Sequence, residues 1–279
     1  MISVENIAGE IQELGPLPLA GNLLAEVILN PRADLREAIK AIRYDQALTA
    51  TILRHANSAQ SAPTTPIGTV GEALIRLGAG KVLGLALALW VRSPMSAALP
   101  PYGFGERELW RHSATAALAT DILSTRTGQR LPALTFTAAL LHDIGKLVLA
   151  RHLDPGTLDA IWRRVVPGET TYAEAEVQTL GFGHAELGAS IAERWRLGKA
   201  LALAIEQHHH PEAADNPVCA AVQVCNLVAK MVGCGVGFEG MNLLSPHAAL
   251  ERFGLRQKAF ERMCAEVAAA VPEVESELG

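Results

Sequence analysis

Leu141-His142-Asp143-Ile144-Gly145-Lys146-Leu147, LHDIGKL, sets an adjacent His-Asp pair inside an apolar run. The residues around it repeat apolar side chains at i, i+3, i+4 and i+7. The same spacing recurs from end to end of the 279-residue chain, with Ala and Leu filling the faces. Alternating apolar-polar stretches of the kind strands need are scarce, so the expected fold class is all-α. Helix starts are predicted where a capping residue precedes proline, at Asp154-Pro155 and Ser245-Pro246, and at the capping box Thr171-x-x-Glu174. Breaks are expected at Gly181 and Gly183, ahead of a helix beginning near His184, and at Gly78 and Gly80 between two apolar segments.

Composition narrows the function classes. Hydrophobic residues make up 49% of the chain and charged ones 19%, so much apolar surface must be packed within the chain or against a partner. A net charge of −5 and the absence of any Lys/Arg run argue against a grip on a nucleic-acid backbone. Val82 to Val91, VLGLALALWV, is about half of the roughly 20 residues a membrane span needs and reads as a buried helix. The N-terminus, MISVENIAGEIQEL, mixes carboxylates into a helical apolar pattern and lacks the order of a signal peptide, so a cytoplasmic address is expected. Cys219, Cys225, Cys234 and Cys264 form no CxxC pair and are expected to be buried, reduced thiols.

The clearest composition shift is SPMSAALPPYGFGE, Ser93 to Glu106, where prolines and glycines interrupt the helical pattern. It divides the chain into an expected N-terminal helical lobe, residues 1–95, and a C-terminal helical lobe, residues 105–279. Of the nine histidines only His55 falls in the first. In the second, the supply is spread over four helices: His112 opens one, His142 and Asp143 sit on the next, His184 starts another, and His208-His209-His210 end a fourth. Helical metal centres draw imidazoles and carboxylates from several helices in this way, since one helix aims few side chains at a point. Adjacent positions on a helix lie about 100° apart, so His142 and Asp143 both serve only if their helix turns an edge to the centre. By the same geometry His208 and His209 are the expected ligands of the triple, with His210 left to solvent. His152 and His247 are read as structural.

Such a set suits metal-assisted hydrolysis, with Asp143 bridging two ions about 4 Å apart and Lys146 neutralising a phosphate oxygen. The plainer alternative makes Asp143 and Lys146 an ordinary i, i+3 ion pair and His112 a hydrogen-bonded bundle residue.

With LLHDIGK, the chain resembles the HD superfamily of metal-dependent phosphohydrolases, and His184 with His208-His209 is similar to its HD-GYP branch. It departs from that branch after EQHHHPEAADNP, where no Gly-Tyr-Pro follows. The late position, within AAVQVCNLVAK, carries Asn226 where catalytic relatives have aspartate. The upper segments LGPLPLAGNLL, YDQALTATILRHANSA and IGTVGEALIRLGAGKVLGLAL resemble the HDOD module, the HD-related output domain, in order and separation. That resemblance implies a two-lobed, all-helical bacterial signalling module, often the output of a response regulator in a two-component system.

Asn226 removes a negative charge and leaves a weaker oxygen ligand, with Asp143 as the one secure carboxylate; Glu212 and Asp215 stand near the histidine run as spares. The expected metal set is His112, His142, Asp143, His184, His208, His209 and Asn226. It would hold one or two ions among Fe, Mn, Mg, Zn and Ni, one being favoured by the lost charge, with Asp143 and Lys146 catalytic only if the centre turns over. The leading functional expectation is a non-catalytic or weakly active output domain that acts on a partner protein or a fused receiver, the chain having no room for a receiver of its own. The alternatives are a metal-dependent phosphodiesterase or phosphatase on a cyclic or other nucleotide, and a metal- or ligand-sensing module. A homodimer is compatible with all three, and neither nucleic acid nor membrane is an expected partner.

Overall fold

The structure, a computed structural model, describes residues 7, 16–30, 32–58, 61, 63–241 and 245–278. The pattern read in MISVENIAGEIQEL lies outside them except for Ile7. Helices α1 (Leu19–Leu29), α2 (Leu35–Arg43), α3 (Gln46–Ala56), α4 (Val70–Leu77) and α5 (Ala79–Met95) come first. They are followed by α6 (Glu108–Thr127), α7 (Thr135–Leu141), α8 (Lys146–Leu149), α9 (Pro155–Trp162), α10 (Tyr172–Leu180), α11 (His184–Arg194) and α12 (Lys199–Glu206). The last three are α13 (Pro217–Met231), α14 (His247–Arg252) and α15 (Gln257–Leu278). The fold is all-α: among the described residues the only β pairings are the isolated bridges Leu99–Phe104 and Val166–Thr170. Also among them, no single helix is long and apolar enough to cross a membrane.

Most of the predicted starts and stops hold. Asp154 caps α9 through Thr157 N–H with Pro155 in the first turn, and Thr171 and Glu174 form a reciprocal capping box on α10. Gly181 ends α10 in the left-handed region at φ 85°, where a side chain would be strained. Two readings change. Ser245 is not a side-chain cap, because α14 starts one residue later with Pro246 at its N-cap position. Gly80 is not a break either: Gly78 alone separates α4 from α5, and Gly80 lies inside α5.

Gly80 and Gly84 share one face of α5, and both are there for close packing. A Cβ on Gly80 would fall 2.1 Å from the Ala133 carbonyl oxygen, and one on Gly84 2.4 Å from the Phe136 ring. The gap closes with a hydrogen bond from Thr137 Oγ1 to the Gly80 carbonyl, 3.0 Å. This contact joins the early helices to α7, whose C-terminal end carries LHDIGKL. Helix α6, with Ala114, Ala116, Ala117 and Ala119 all buried, packs along α7, α13 and α15 and forms the axis of the later helices. The cysteines are free: Cys219, Cys225 and Cys234 are buried, whereas Cys264 is only partly so.

Candidate metal centre

His142 and Asp143 do not sit on a helix. Helix α7 ends at Leu141, and His142 to Gly145 form the turn into α8, wound by i→i+3 bonds such as Ile144 N–H to Leu141 O and Lys146 N–H to Asp143 O. The tighter winding aims both side chains into one interior space, which removes the edge-on constraint expected of a helix. Glycine makes the placement possible. A Cβ on Gly145 would lie 1.9 Å from the His184 carbonyl oxygen and 2.6 Å from Gly188 N, so the turn lies directly against the first turns of α11.

Four of the histidines arrive with the ring already fixed. His112 stands in the second turn of α6, and its Nδ1 meets the Cys234 carbonyl at 3.0 Å. Nδ1 of His142 meets Ala139 O at 2.7 Å, and Nδ1 of His208 meets Ile205 O at 2.6 Å. His184 begins α11, where Glu176 Oε2 accepts both its backbone N–H at 3.0 Å and its Nδ1 at 2.7 Å. Carbonyl and carboxylate oxygens only accept, so in each ring Nδ1 carries the proton and, in the neutral form, Nε2 offers a bare lone pair.

Those four Nε2 atoms turn onto the two oxygens of Asp143. His112 and His142 approach Oδ2 at 3.6 and 3.4 Å, while His184 and His208 approach Oδ1 at 3.3 and 3.6 Å. His112 Nε2 and His142 Nε2 face each other at 3.2 Å, and His184 Nε2 faces His209 Nε2 at 3.0 Å. The donor atoms of Asp143, His184, His208 and His209 lie within 4.8 Å of one another, as do those of His112, His142 and Asp143. Asp143 Oδ1 and His208 Nε2 are buried without a hydrogen-bond partner among the described residues. Imidazole nitrogens and carboxylate oxygens gathered this closely repel one another unless a cation, a metal ion or a proton on a ring such as His184, lies among them, and the donor set fits a metal ion.

Burial disfavours charge on His112 and His208, pushing them down to about 3 and about 4, so both rings are neutral, as ligands must be. Burial alone would also raise Asp143, yet the His142 ring and the Lys146 ammonium beside it hold its carboxyl well below the usual range. At His184 burial again opposes the charged form, but Glu176 outweighs it and lifts the ring to about 9.

Lys146 is 1% exposed and its Nζ is committed on both sides, to Asp143 Oδ2 at 2.8 Å and to Glu239 Oε1. The pair with Asp143 is thus a buried one and not a solvated helix pair. Asn226 is buried on α13, its Oδ1 without a partner among the described residues, and lines a cavity of about 120 Å3 together with His208, His209, Lys230 and Glu239. A second cavity, about 310 Å3, reaches His184 and His209 from the side of Glu176 and Glu186. His210 is exposed and pairs with Glu212 at 2.8 Å. The two spare carboxylates do not reach in: Glu212 and Asp215 are exposed and belong to neither ligand group, and His152 and His247 stand outside both as well.

Three residues that sequence reasoning passed over complete the surroundings: Glu176, Lys230 and Glu239. Nothing distinguishes Glu176 among the carboxylates of TYAEAEVQTL. Glu239 has a faint signal, since it sits in the glycine-dense run GCGVGFEGM, where close backbone packing is to be expected.

Comparison with known proteins bears on the family and the fold. A family model described as HDOD domain matches residues 14–211. A solved structure from Marinobacter aquaeolei VT8, of a protein proposed to act in signal transduction, is 24% identical with a TM-score of 0.66, covering 96% of this chain and 59% of that one. An HDOD domain protein of unknown function from Geobacter sulfurreducens is 22% identical with a TM-score of 0.65, covering 98% and 96%. A proposed metal-dependent phosphohydrolase from Shewanella amazonensis SB2B is 17% identical with a TM-score of 0.60, covering 96% and 98%. At these identities the likeness is one of fold. An uncharacterised protein of Treponema pallidum is 23% identical over 94% of this chain, and the chain spans about half its length (50%).

Proposed function

The chain belongs to the HDOD domain family, and from that premise we propose that it is a signal-transduction module built around a divalent-metal centre, in which metal binding rather than turnover is the retained property. One observation carries the reading: four imidazoles, each anchored through Nδ1, present Nε2 to the two oxygens of a single buried carboxylate. In this reading His112, His142 and Asp143 Oδ2 hold one side of the centre. His184, His208, His209 and Asp143 Oδ1 hold the other, with the Asn226 amide as a neutral neighbour. An imidazole-rich set with one carboxylate suits Fe, Mn, Zn or Ni better than Mg, which prefers oxygen ligands.

A divalent ion held there supplies Lewis acidity and ties together α6, the α7–α8 turn, α11 and the residues after α12. The chain's own groups favour binding over catalysis. Asn226 provides no charge, and two of the three Lys146 N–H donors are taken by carboxylates that already neutralise its charge, so it attracts a substrate oxygen weakly unless one of them moves. Occupancy of the centre changes how firmly those helices are joined, which is the kind of state a partner protein or a fused receiver reads. The chain spans 59% and 50% of the lengths of the Marinobacter and Treponema proteins and nearly all of the Geobacter and Shewanella ones.

The test is metal content after reconstitution with each of Fe, Mn, Zn and Ni and removal of excess ion. Stoichiometric retention by the wild type, lost in Asp143→Ala, together with no turnover of cyclic dinucleotides or simple phosphodiesters, is the expected result. A wild type that retains no ion would defeat the reading.

A second reading, a metal-dependent phosphohydrolase, is favoured by the position of Asp143, whose two oxygens serve two ligand groups as a bridging carboxylate would. Turnover abolished by Asp143→Ala and raised by Asn226→Asp would establish it.

A further inference from the structure

Glu239 makes contacts that a metal centre does not require. It stands on a short 3-10 turn, Phe238–Met241, and is 8% exposed. Its two oxygens divide between two lysines: Oε1 pairs with Lys146, and Oε2 lies 2.5 Å from Lys230 Nζ. Lys230 and Glu239 line the cavity of about 120 Å3 that also reaches His208, His209 and Asn226.

The charges explain why an anion belongs there. Lys146 is already paired with Asp143, so without Glu239 the mostly buried Lys230 ammonium would lack a counter-charge among the described residues, and a buried unpaired ammonium is costly. What these two lysines recognise is a pair of anionic oxygens. A phosphoryl group offers the same two oxygens, with a further one to face the Asn226 amide. The support beneath Glu239 is firm. Phe238 packs edge-on against Trp162 with ring centroids 4.8 Å apart. Gly235 and Gly237 lie in the left-handed region, where added Cβ atoms would fall 2.2 Å from Glu108 O and 2.4 Å from Tyr102 O. Only the side chain need leave for the space between the lysines to open.

We propose that Glu239 is an internal occupant of an oxyanion site formed by Lys146 and Lys230 beside the metal centre, and that a phosphoryl ligand binds by displacing it. This deepens the proposed function, on which it rests for the neighbouring centre, by naming the ligand class and the group that holds the site closed. The affinity of the resting protein for such a ligand is reduced by the fraction of time Glu239 is seated.

The probe is inorganic phosphate, titrated calorimetrically into metal-reconstituted wild type, Glu239→Gln, and Glu239→Gln with Lys230→Met. If Glu239 is seated at least nine-tenths of the time, Glu239→Gln binds phosphate about tenfold tighter or more, and adding Lys230→Met removes the gain. Equal affinity in wild type and Glu239→Gln overturns the proposal, as does a gain that survives Lys230→Met. Glu239→Asp guards against a misfolded amide variant: its shorter carboxylate spans the two lysines poorly, so intermediate phosphate affinity is expected, and affinity no higher than wild type counts against the plug. Metal content measured on the same samples separates the two readings. Absent metal with the phosphate gain intact sinks the metal centre alone; intact metal with no gain sinks the plug alone.

Discussion

Glu176 governs His184 through one oxygen, which accepts both the backbone N–H and Nδ1, and so sets where the ring sits and which nitrogen is left for the centre. Outer partners of this kind usually matter about 10- to 100-fold in metal affinity, and Glu176→Gln is expected to weaken binding within that range when measured against a competing chelator above pH 9, where the His184 ring is neutral in both proteins. Gly145 governs the centre by having no side chain. Gly145→Ala would drive a Cβ into the His184 carbonyl and Gly188 N, both backbone, so the turn and α11 must separate. A loss of about 1–3 kcal/mol in urea unfolding is expected, and metal retention should fall with it because His142 and His184 part company. The inward-facing residues were readable from the sequence, because His112, His142, Asp143, His184, His208 and His209 are chemically distinctive and spread along the later part of the chain. Glu176, Lys230 and Glu239 were not, since acids and lysines are common and their roles arise only when distant segments meet.

At the scale of elements, local signals located Thr171, Asp154 and Gly181 correctly because capping and left-handed stops depend on neighbouring residues alone. They failed at Gly80 and at the His142–Gly145 turn, whose conformations answer to tertiary contacts: the Ala133 backbone in one case, the start of α11 in the other. The two glycines of α5 make this testable. Alanine in a helix interior is favoured over glycine by about 1 kcal/mol. At Gly84 the added Cβ meets the buried side chains of Phe136 and Thr137, which resist less than backbone does, so Gly84→Ala should destabilise less than Gly80→Ala. At Gly80 it meets the Ala133 backbone, which cannot, and Gly80→Ala is expected to destabilise by about 1–3 kcal/mol despite its better propensity. Urea midpoints of the two variants, compared side by side, decide it: equal midpoints would mean that α5 is not held against this segment as tightly as the packing indicates.

For the whole molecule, the all-helical class was legible because one period runs through the entire chain, whereas the electrical balance of the interior was not, because it depends on which rings share a cavity. That balance predicts opposite pH limbs for the metal-free protein. Burial pushes His55 and His208 down to about 4 and His112 to about 3. The unfolded chain therefore takes up protons below about 6.5 that the folded chain refuses, and stability falls as pH drops from there towards 4. His184 acts the other way: despite burial, Glu176 raises it to about 9, so its contribution is whole below about 6.5 and is lost as pH rises through 9. The same proton competes with metal. Below about 9 the His184 ring is protonated in the metal-free fold, and an ion that uses its Nε2 must release that proton. Apparent metal affinity should therefore climb about tenfold per pH unit between 7 and 9 and then level off. Glu176→Gln removes the charge that raises the ring, so its plateau should begin at lower pH, and the deficit it shows above pH 9 should shrink towards pH 7, where the wild type must also release the proton. Chelator competition across that pH range, run on both proteins, reads the break directly; a wild-type affinity that is flat from pH 7 to 9 would show that His184 Nε2 carries no proton there or does not meet the ion.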